Sequence, residues 1–294
     1  MGVRVDKLPP AEALGKAREF LRTGGQHKIF TPNPEMLVKA NKDEYFRQVL
    51  NAGDLNLCDG FGLRLASGAQ RITGVDFMLE LCKLAAERGS SVYLLGSGND
   101  AVIRKTAEEL NKQFPGLKIA GYNKGPEIRE CHCEEEHVRF AQCKLRDDAA
   151  RPPRKRERCG QAISLNQVRL NSTGLLCRPD QRVGTPRNDA PVNKINAARP
   201  DILFVAFGMG KQEKWIHENL AKLPSVKIAM GVGGAFDYIS GTVKRAPCWM
   251  RQIGLEWMYR LIKQPKRAGR IFNATIIFCI HLLFKHKNIK TQEH

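Results

Sequence analysis

The sequence predicts an α/β fold with a mostly parallel sheet, flanking helices and a basic helical C-terminal appendage. Short apolar runs alternate with amphipathic helical patterns of the length that a βαβ crossover requires. Polar or glycine-rich turns follow several of the apolar runs, as at the carboxyl ends of strands in open sheets. The 294 residues are 42% hydrophobic and 27% charged, which is the composition of a globular chain that buries a core.

The predicted elements follow one another in a regular order. Residues 10–23 carry apolar side chains at helical spacing and stop at a Gly-Gly pair, which is typical of a helix C-terminus. A strand is predicted at 28–31, a helix from Pro34 to Gly53, and a second strand at 55–58. Further strands are predicted at 91–96, 117–122, 201–208 and 226–233, with helices at 99–114 and 211–223.

Residues 130–195 interrupt this rhythm. They contain five of the nine cysteines, a basic cluster at 154–156 and no sustained apolar period, which predicts a long loop or a disordered insertion. A zinc site is disfavoured because no Cys-x-x-Cys pair is present, and a scrambled or frame-shifted piece of coding sequence is a third reading. We therefore expect an α/β core over 1–240, interrupted at about 130–195, and an appendage over 241–294.

The formal net charge of +18 indicates a polyanionic partner. Residues 241–294 hold eleven Lys or Arg and two Glu, so half of the excess lies in the appendage. The longest apolar stretch, 271–284, is shorter than the ~20 residues of a membrane-spanning helix, but it could lie on an anionic membrane surface. The chain shows no N-terminal apolar signal, and its cysteines have irregular spacing, which together predict a cytosolic protein with free thiols.

A nucleic-acid-binding protein is the alternative class that the charge suggests. Single-strand binders interleave aromatic side chains with basic ones for base stacking. Residues 141–195 surround the basic cluster and contain no Phe, Tyr or Trp, which argues against nucleic acid as the partner.

Five turns at predicted strand ends carry polar or glycine-rich signatures, and together they predict a site. Each signal is weak by itself, because "GSGND" lacks the third glycine of a dinucleotide fingerprint and "GMGKQ" lacks the ending of a P-loop. Ordinary tight turns are the alternative for each one. Taken together, they indicate a nucleotide-phosphate or sugar-phosphate site and no separate cofactor. The turns are residues 31–34, 59–62, 96–99, 208–212 and 231–237.

Several motifs resemble one known family. They are "TPNPEMLVKA", "LNLCDGFGLRLASG", "RITGVDFM", "VYLLGSG", "PDILFVAFGMGKQEKWI", "GVGGAFDYISGTVKRAP" and "GLEWMYRLIKQPKRAGR". Over residues 1–129 and 196–275 the chain is similar to the WecG/TagA/CpsF glycosyltransferases, glycosyltransferase family 26. The resemblance implies a Rossmann-like fold of the GT-E type.

The resemblance also implies an activity. Such enzymes are inverting and metal-independent, and they move a sugar, often N-acetylmannosamine, from a UDP donor to polyprenyl-diphosphate-linked N-acetylglucosamine. The reaction takes place at the inner face of the bacterial membrane, in teichoic acid, common antigen or capsule synthesis. We therefore expect a cytoplasmic, peripheral membrane enzyme that binds both substrates and an anionic membrane surface. A homo-oligomer is one of the oligomeric states open to this enzyme. The alternative role for the appendage is packing against the core or forming a protomer interface. For the protein as a whole, the alternative is an inactive homologue that the insertion has disabled.

Three residues are predicted to be catalytic. Asp59 follows a strand and precedes two glycines, and a carboxylate so placed suits the general base that takes the acceptor hydroxyl proton. Its alternative is an Asx turn or a helix N-cap. By resemblance, Thr31 lies in the catalytic pocket and Gln212 binds the donor or the developing charge.

Other residues are predicted to bind substrate. Asn33 could bind a sugar hydroxyl or the diphosphate, and helix capping before Pro34 is the alternative for both Thr31 and Asn33. By resemblance, Arg71 matches a family arginine of similar purpose to Gln212. The alternative for both Arg71 and Gln212 is a solvated position on the protein surface. The chain has no Asp-x-Asp pair to hold a metal ion, so arginines of the appendage are expected to bind the leaving UDP. The remaining predicted substrate-binding residues are Gly96, Gly208, Gly233, Asp237, Arg260, Arg267 and Arg270.

Overall fold

The computed structural model describes residues 2–125 and 189–252, together with Glu256, Met258, Tyr259 and Phe278. These residues belong to one compact unit built on a six-stranded sheet of order β2-β1-β6-β5-β3-β4. Every strand pair is parallel, which confirms the predicted α/β class. The strands are β1 (His27–Phe30), β2 (Leu55–Asn56), β3 (Ser91–Gly96), β4 (Lys118–Asn123), β5 (Ile202–Ala206) and β6 (Ile228–Gly231).

Ten α-helices fall within the described residues, and a short 3-10 helix, Leu220–Lys222, follows the eighth. The α-helices are α1 (Pro10–Thr23), α2 (Pro34–Lys42), α3 (Glu44–Asn51), α4 (Phe61–Ser67), α5 (Gly74–Arg88), α6 (Asp100–Gln113), α7 (Asp189–Ala198), α8 (Lys211–Asn219), α9 (Ala235–Ile239) and α10 (Cys248–Gln252).

The sheet separates two apolar cores, and successive side chains of its strands enter them alternately. Leu94 of β3 packs into the core beneath α1, α5, α6 and α9, whereas Leu95 enters the core beneath α2, α3, α7 and α8. Buried strands that are apolar on both faces are typical of parallel sheets. The helices that follow the neighbouring strands β3 and β5 therefore diverge to opposite faces, which opens a crevice at the carboxyl ends of these strands.

The helix predicted from Pro34 to Gly53 is in fact two helices. Asp43 interrupts it with an extended backbone (φ −118°, ψ 96°), and its Oδ1 accepts a hydrogen bond from the Phe46 N–H at 2.9 Å. Apolar periodicity continues across this position, which is why the pattern predicted one helix. The break lets α3 turn its own apolar face, including Phe46 and Leu50, into the second core.

The predicted insertion extends too far toward the C-terminus. Residues 189–195 belong to α7, and Val192 and Ile195 are buried in the second core. Besides these two buried side chains, the partly buried Ala198 packs against that core, so the ten-residue helix carries a weak apolar period in its sequence. The rest of the predicted insertion, including the cysteines and the basic cluster at 154–156, lies outside the described residues, as does most of the predicted appendage beyond α10.

Candidate active site

The five predicted turns lie along one edge of the sheet. Because all six strands run parallel, their carboxyl ends share that edge. The turns that begin at residues 31, 59, 96, 208 and 231 follow β1, β2, β3, β5 and β6 in that order. The structure therefore brings together the polar and glycine-rich segments that the sequence separates by as much as two hundred residues, and ligands of open α/β sheets bind at this edge.

Asp59 lies between the turn after β1 and the first turn of α5. Its backbone N–H donates to the Pro32 carbonyl at 3.0 Å, and its Oδ2 accepts from the Gly74 N–H at 3.4 Å. The N-cap of the following helix α4 is Gly60, without a side-chain cap, so Asp59 is not the N-cap that was its alternative. The carboxylate is thus placed at the carboxyl edge beside the N-terminus of a fifteen-residue helix.

Thr31 and Asn33 differ in what their side chains contact. Thr31 is 8% exposed, and a Cβ placed on Gly74 would lie 3.3 Å from its Oγ1, so the glycine lets α5 approach both Thr31 and Asp59. Asn33 is the N-cap of α2, where its Oδ1 accepts from the Met36 N–H at 2.9 Å. Capping is therefore confirmed for Asn33, and its contact with substrate stays a prediction.

Arg245 is a cation at the N-terminus of α5 that was not predicted as a site residue from the sequence. Its guanidinium binds both carboxylate oxygens of Asp76, at 2.6 and 2.9 Å, and donates to Thr73 Oγ1 at 3.1 Å. Burial would lower the pKa of Arg245, but the carboxylates of Asp76 and, in decreasing order, Glu256 and Asp59 raise it. Arg245 is therefore an electrostatic neighbour of Asp59, and the only sequence signal for it was its place in the quoted "GTVKRAP" segment.

Asp76 is held ionised by this arrangement. Burial alone would raise the pKa of Asp76, yet hydrogen bonds from Arg245 and Thr73 outweigh burial and hold the pKa below its ordinary value. Arg251 lies 3.9 Å from the same carboxylate. An ionised carboxylate thus orients the guanidinium of Arg245 at the start of α5.

Arg71 binds α10 and the chain beyond it. One of its terminal nitrogens donates to the Arg251 carbonyl at 2.7 Å, and the other pairs with Glu256 Oε2 at 2.8 Å. The side chains of Arg71 and Glu256 are only 15% and 8% exposed. Arg71 is therefore not the solvated surface cation that was its alternative.

A groove of about 850 Å³ is lined in part by Arg71 and Arg251. It lies between the N-terminal end of α1, the segment 68–73, the first turns of α5, and α10. Its charged lining includes Arg71, Asp76 and Arg251, and Thr73 connects it to the neighbourhood of Asp59.

Gln212 is buried and hydrogen-bonded at both ends of its amide. It is 4% exposed, its Nε2 donates to Glu213 Oε1 at 2.8 Å, and its Oε1 accepts from the Gly233 N–H at 2.9 Å. Glu213, which the sequence reasoning missed, is 1% exposed. Burial raises the pKa of Glu213, while bonds from Gln212 and Gly210 and the charge of Lys39 oppose that rise.

The other predicted site residues are placed as follows. Gly96, Gly208 and Gly233 occupy the turns after β3, β5 and β6, and Asp237 lies in α9, where its carbonyl accepts from the Val243 N–H at 3.0 Å. Their contacts with substrate stay predictions. Arg260, Arg267 and Arg270 lie outside the described residues. Within residues 2–125 and 189–252, no three His, Cys, Asp or Glu side chains are grouped to hold a metal ion. None of the described helices has the length and apolar character to cross a membrane.

Comparison with known proteins identifies close similarity over most of the chain. The model of the glycosyl transferase WecG/TagA/CpsF family matches residues 1–143 and 162–292. The match confirms the resemblance and extends beyond 1–129 and 196–275, so that only 144–161 lies uncovered between the matched segments. The departure from the family pattern is therefore narrower than the predicted insertion.

Curated relatives share one name. The chain is similar to N-acetylglucosaminyldiphosphoundecaprenol N-acetyl-beta-D-mannosaminyltransferase of Bacillus subtilis (strain 168), with 29% identity over 269 residues, which is 90% of this chain and 81% of the relative. The protein of that name from Bacillus spizizenii is 29% identical over 90% of this chain and 82% of its own length. The one from Staphylococcus aureus (strain MW2) is 25% identical over 94% and 88%.

Proposed function

The chain belongs to the glycosyl transferase WecG/TagA/CpsF family, and from this premise we propose that it transfers N-acetylmannosamine from a UDP donor to N-acetylglucosaminyl-diphospho-undecaprenol, with inversion and without a metal ion. The names of its relatives support the sugar and the acceptor. The single observation that carries the proposal is the placement of the Asp59 carboxylate at the carboxyl edge, beside Thr31 and the N-terminus of α5.

Asp59 is the general base of the proposed reaction. Its carboxylate takes the proton from the acceptor hydroxyl as that oxygen attacks the anomeric carbon of the donor. The bond from the anomeric carbon to the UDP oxygen breaks as the new glycosidic bond forms, which inverts the configuration in a single displacement. The Gly74 N–H holds the carboxylate in place, and Thr31 lies against the same glycine.

The departing UDP carries two phosphates whose negative charge grows as the bond breaks. In this proposal Arg245, which is already near Asp59, and Arg260, Arg267 and Arg270 of the appendage meet that charge in place of a divalent ion. Guanidinium groups bind phosphate oxygens in pairs, which suits them to this role. Backbone N–H groups of the turns at Gly96, Gly208 and Gly233 supply the remaining donors.

The appendage is proposed to bring the enzyme to its lipid-linked acceptor. Residues 241–294 carry eleven Lys or Arg and two Glu, and each basic residue near an anionic bilayer contributes about 1 kcal/mol of attraction. We place the enzyme at the inner face of the bacterial plasma membrane as a peripheral protein, in teichoic acid or related polysaccharide synthesis, with a homo-oligomer as one form.

The test is UDP release from UDP-N-acetylmannosamine with a soluble prenyl-diphosphate N-acetylglucosamine acceptor, in the presence of EDTA. The wild-type protein is expected to release UDP only when acceptor is present. Asp59→Asn keeps the shape of the side chain but removes the base, so the rate is expected to fall by about 10²- to 10⁴-fold.

Asp54→Asn is the matched control. Asp54 lies just before β2, at the opposite edge of the sheet, where its Oδ2 accepts from the Lys28 N–H at 2.8 Å, and an amide oxygen can accept the same bond. This variant is expected to retain wild-type transfer. Equal rates for wild type and Asp59→Asn would show that the base is another residue, and loss of activity in EDTA would contradict metal independence.

A further inference from the structure

Buried side chains join two turns at the carboxyl edge through a continuous chain of hydrogen bonds. After β5, the Gly210 N–H donates to Glu213 Oε2 at 2.7 Å. Glu213 Oε1 accepts from Gln212 Nε2 at 2.8 Å, and Gln212 Oε1 accepts from the Gly233 N–H after β6 at 2.9 Å. We call these four groups the Gln212–Glu213 link.

The donors and acceptors of the link allow one arrangement only. An ionised carboxylate accepts hydrogen bonds and donates none, whereas a backbone N–H only donates. The Gln212 amide must therefore turn its NH₂ toward Glu213 and its oxygen toward Gly233. Both side chains are withdrawn from water, at 4% and 1% exposure, so water cannot replace a lost partner.

A cation lies close to the link. A Cβ placed on Gly210 would come within 2.8 Å of Lys39 Nζ, so the Lys39 ammonium lies against the turn after β5. Burial raises the pKa of Glu213, and the charge of Lys39 opposes that rise, which favours the carboxylate that accepts both hydrogen bonds. Lys39 extends from α2, the helix that follows the turn containing Thr31.

We propose that Glu213 is a positioning residue of the donor site, which fixes the orientation of the Gln212 amide and thereby holds the turns after β5 and β6 at the spacing that a nucleoside-diphosphate sugar requires. This inference rests on the proposed function, because that function makes the two turns the phosphate-binding part of the site. Gln212 then acts on the donor through the Gly233 turn, which its oxygen holds.

A pair of variants separates positioning from general destabilisation. Glu213→Gln nearly preserves volume, but its NH₂ must face either the Gly210 N–H or the Gln212 NH₂, so two donors meet. The double variant Gln212→Glu/Glu213→Gln restores every bond with the roles exchanged. The carboxylate at position 212 would accept from the Gly233 N–H, and the amide at position 213 would donate to it while accepting from the Gly210 N–H.

The measurement is the steady-state rate of UDP release at varied donor and varied acceptor concentrations. Glu213→Gln is expected to raise the KM for UDP-N-acetylmannosamine by about 10- to 100-fold, with the acceptor KM unchanged. The double variant is expected to return the thermal midpoint of unfolding to that of wild type, since all donors are again paired. An unchanged donor KM in Glu213→Gln would overturn the proposal. A loss of thermal stability in that variant that the double variant does not reverse would also overturn it.

Hydrogen exchange keeps the inference separate from the proposed function. If wild-type protein releases no UDP from this donor, the proposed function fails. The Gln212–Glu213 link is then tested by hydrogen exchange of the backbone amides at 208–213 and 231–234. Faster exchange in both segments of Glu213→Gln, reversed in the double variant, would support it. Equal exchange in the three proteins would overturn it.

Discussion

At the scale of single residues, Gly96 shows how closely the strands approach at the carboxyl edge. Its φ is +121°, and a Cβ there would lie 2.6 Å from the Ala206 carbonyl oxygen of the neighbouring strand. Gly98, two residues later, has φ +67° and open space around the corresponding position. Both glycines thus have a positive φ that L-residues rarely adopt, and they differ in the clash.

Alanine substitutions at these two positions should therefore differ in cost. Both introduce backbone strain of about 1–2 kcal/mol, and Gly96→Ala adds a clash with backbone worth about 1–3 kcal/mol. We expect the free energy of unfolding, measured by chemical denaturation, to fall further for Gly96→Ala than for Gly98→Ala. Equal losses would mean that β3 and β5 separate at this edge without cost.

The position of a residue in the fold could be predicted from sequence where its surroundings in the chain carry a signal. Asp59 stands between an apolar run and two glycines, and that local pattern alone placed it at a strand end. Glu213 has no such signal, because a Glu in the first turn of a helix is ordinarily a solvated residue. Only the fold brings Gly233, twenty-one positions later in the chain, close enough to Gln212 to bury the pair.

At the scale of elements, Asp43 decides where α2 ends and α3 begins. Its Oδ1 caps α3 through the Phe46 N–H, and its Oδ2 pairs with Lys214 of α8 at 2.7 Å. A helix cap and an ion pair involve polar side chains and leave the spacing of the apolar residues unchanged. The apolar pattern over about twenty residues therefore predicts one helix where the structure has two. The same limit applies to α7, which has two buried apolar anchors in ten residues.

Substitutions at Asp43 should separate the cap from the ion pair. Asp43→Ala removes both and is expected to lower the free energy of unfolding by about 1–2 kcal/mol. Asp43→Asn keeps a capping oxygen and loses the charge, so it should cost less, about 0.5–1 kcal/mol. Urea denaturation at pH 7 measures both variants, and identical losses would show that the ion pair contributes everything.

The ion-pair part of this stability should also depend on pH. Burial would raise the pKa of Asp43, but bonds from Lys214 and the Phe46 N–H lower it below the ordinary 3.8. A lowered folded-state pKa gives stability that is complete above pH 3.8 and is lost as the pH falls through the folded-state value. The difference between wild type and Asp43→Asn should therefore shrink below that pH, and a constant difference would contradict this.

At the scale of the whole molecule, the parallel direction of the strands follows from physics that the sequence expresses clearly. Apolar strands alternating with helices predict parallel pairing, and parallel pairing puts all strand ends of one kind at one edge. What the sequence could not provide is how the chain after β6 returns to the core. Arg71 and Glu256 are separated by 185 positions, and neither stands in a pattern that indicates a partner.

That ion pair offers a test of what Arg71 does. Its partners in the structure are the Arg251 carbonyl and Glu256, so we predict that Arg71 acts mainly by holding the C-terminal segment to the core. Arg71→Met and Glu256→Gln each leave one member of a largely buried pair without its partner, at a cost of about 3 kcal/mol in the free energy of unfolding. The double variant should cost less than the sum of the two, by about 1–3 kcal/mol.

Activity then distinguishes docking from substrate binding. If Arg71 works by docking, both single variants should slow UDP release by similar factors, and the double variant should be no slower than either. If Arg71 contacts the donor instead, Arg71→Met should lose activity while Glu256→Gln keeps it. The surface pair Arg104 and Glu108, whose side chains are 67% and 59% exposed, is the control cycle, and its coupling should be near zero because exposed ion pairs are solvated and screened. A coupling between Arg71 and Glu256 as small as that of the control would mean that the C-terminal segment is held to the core by other contacts.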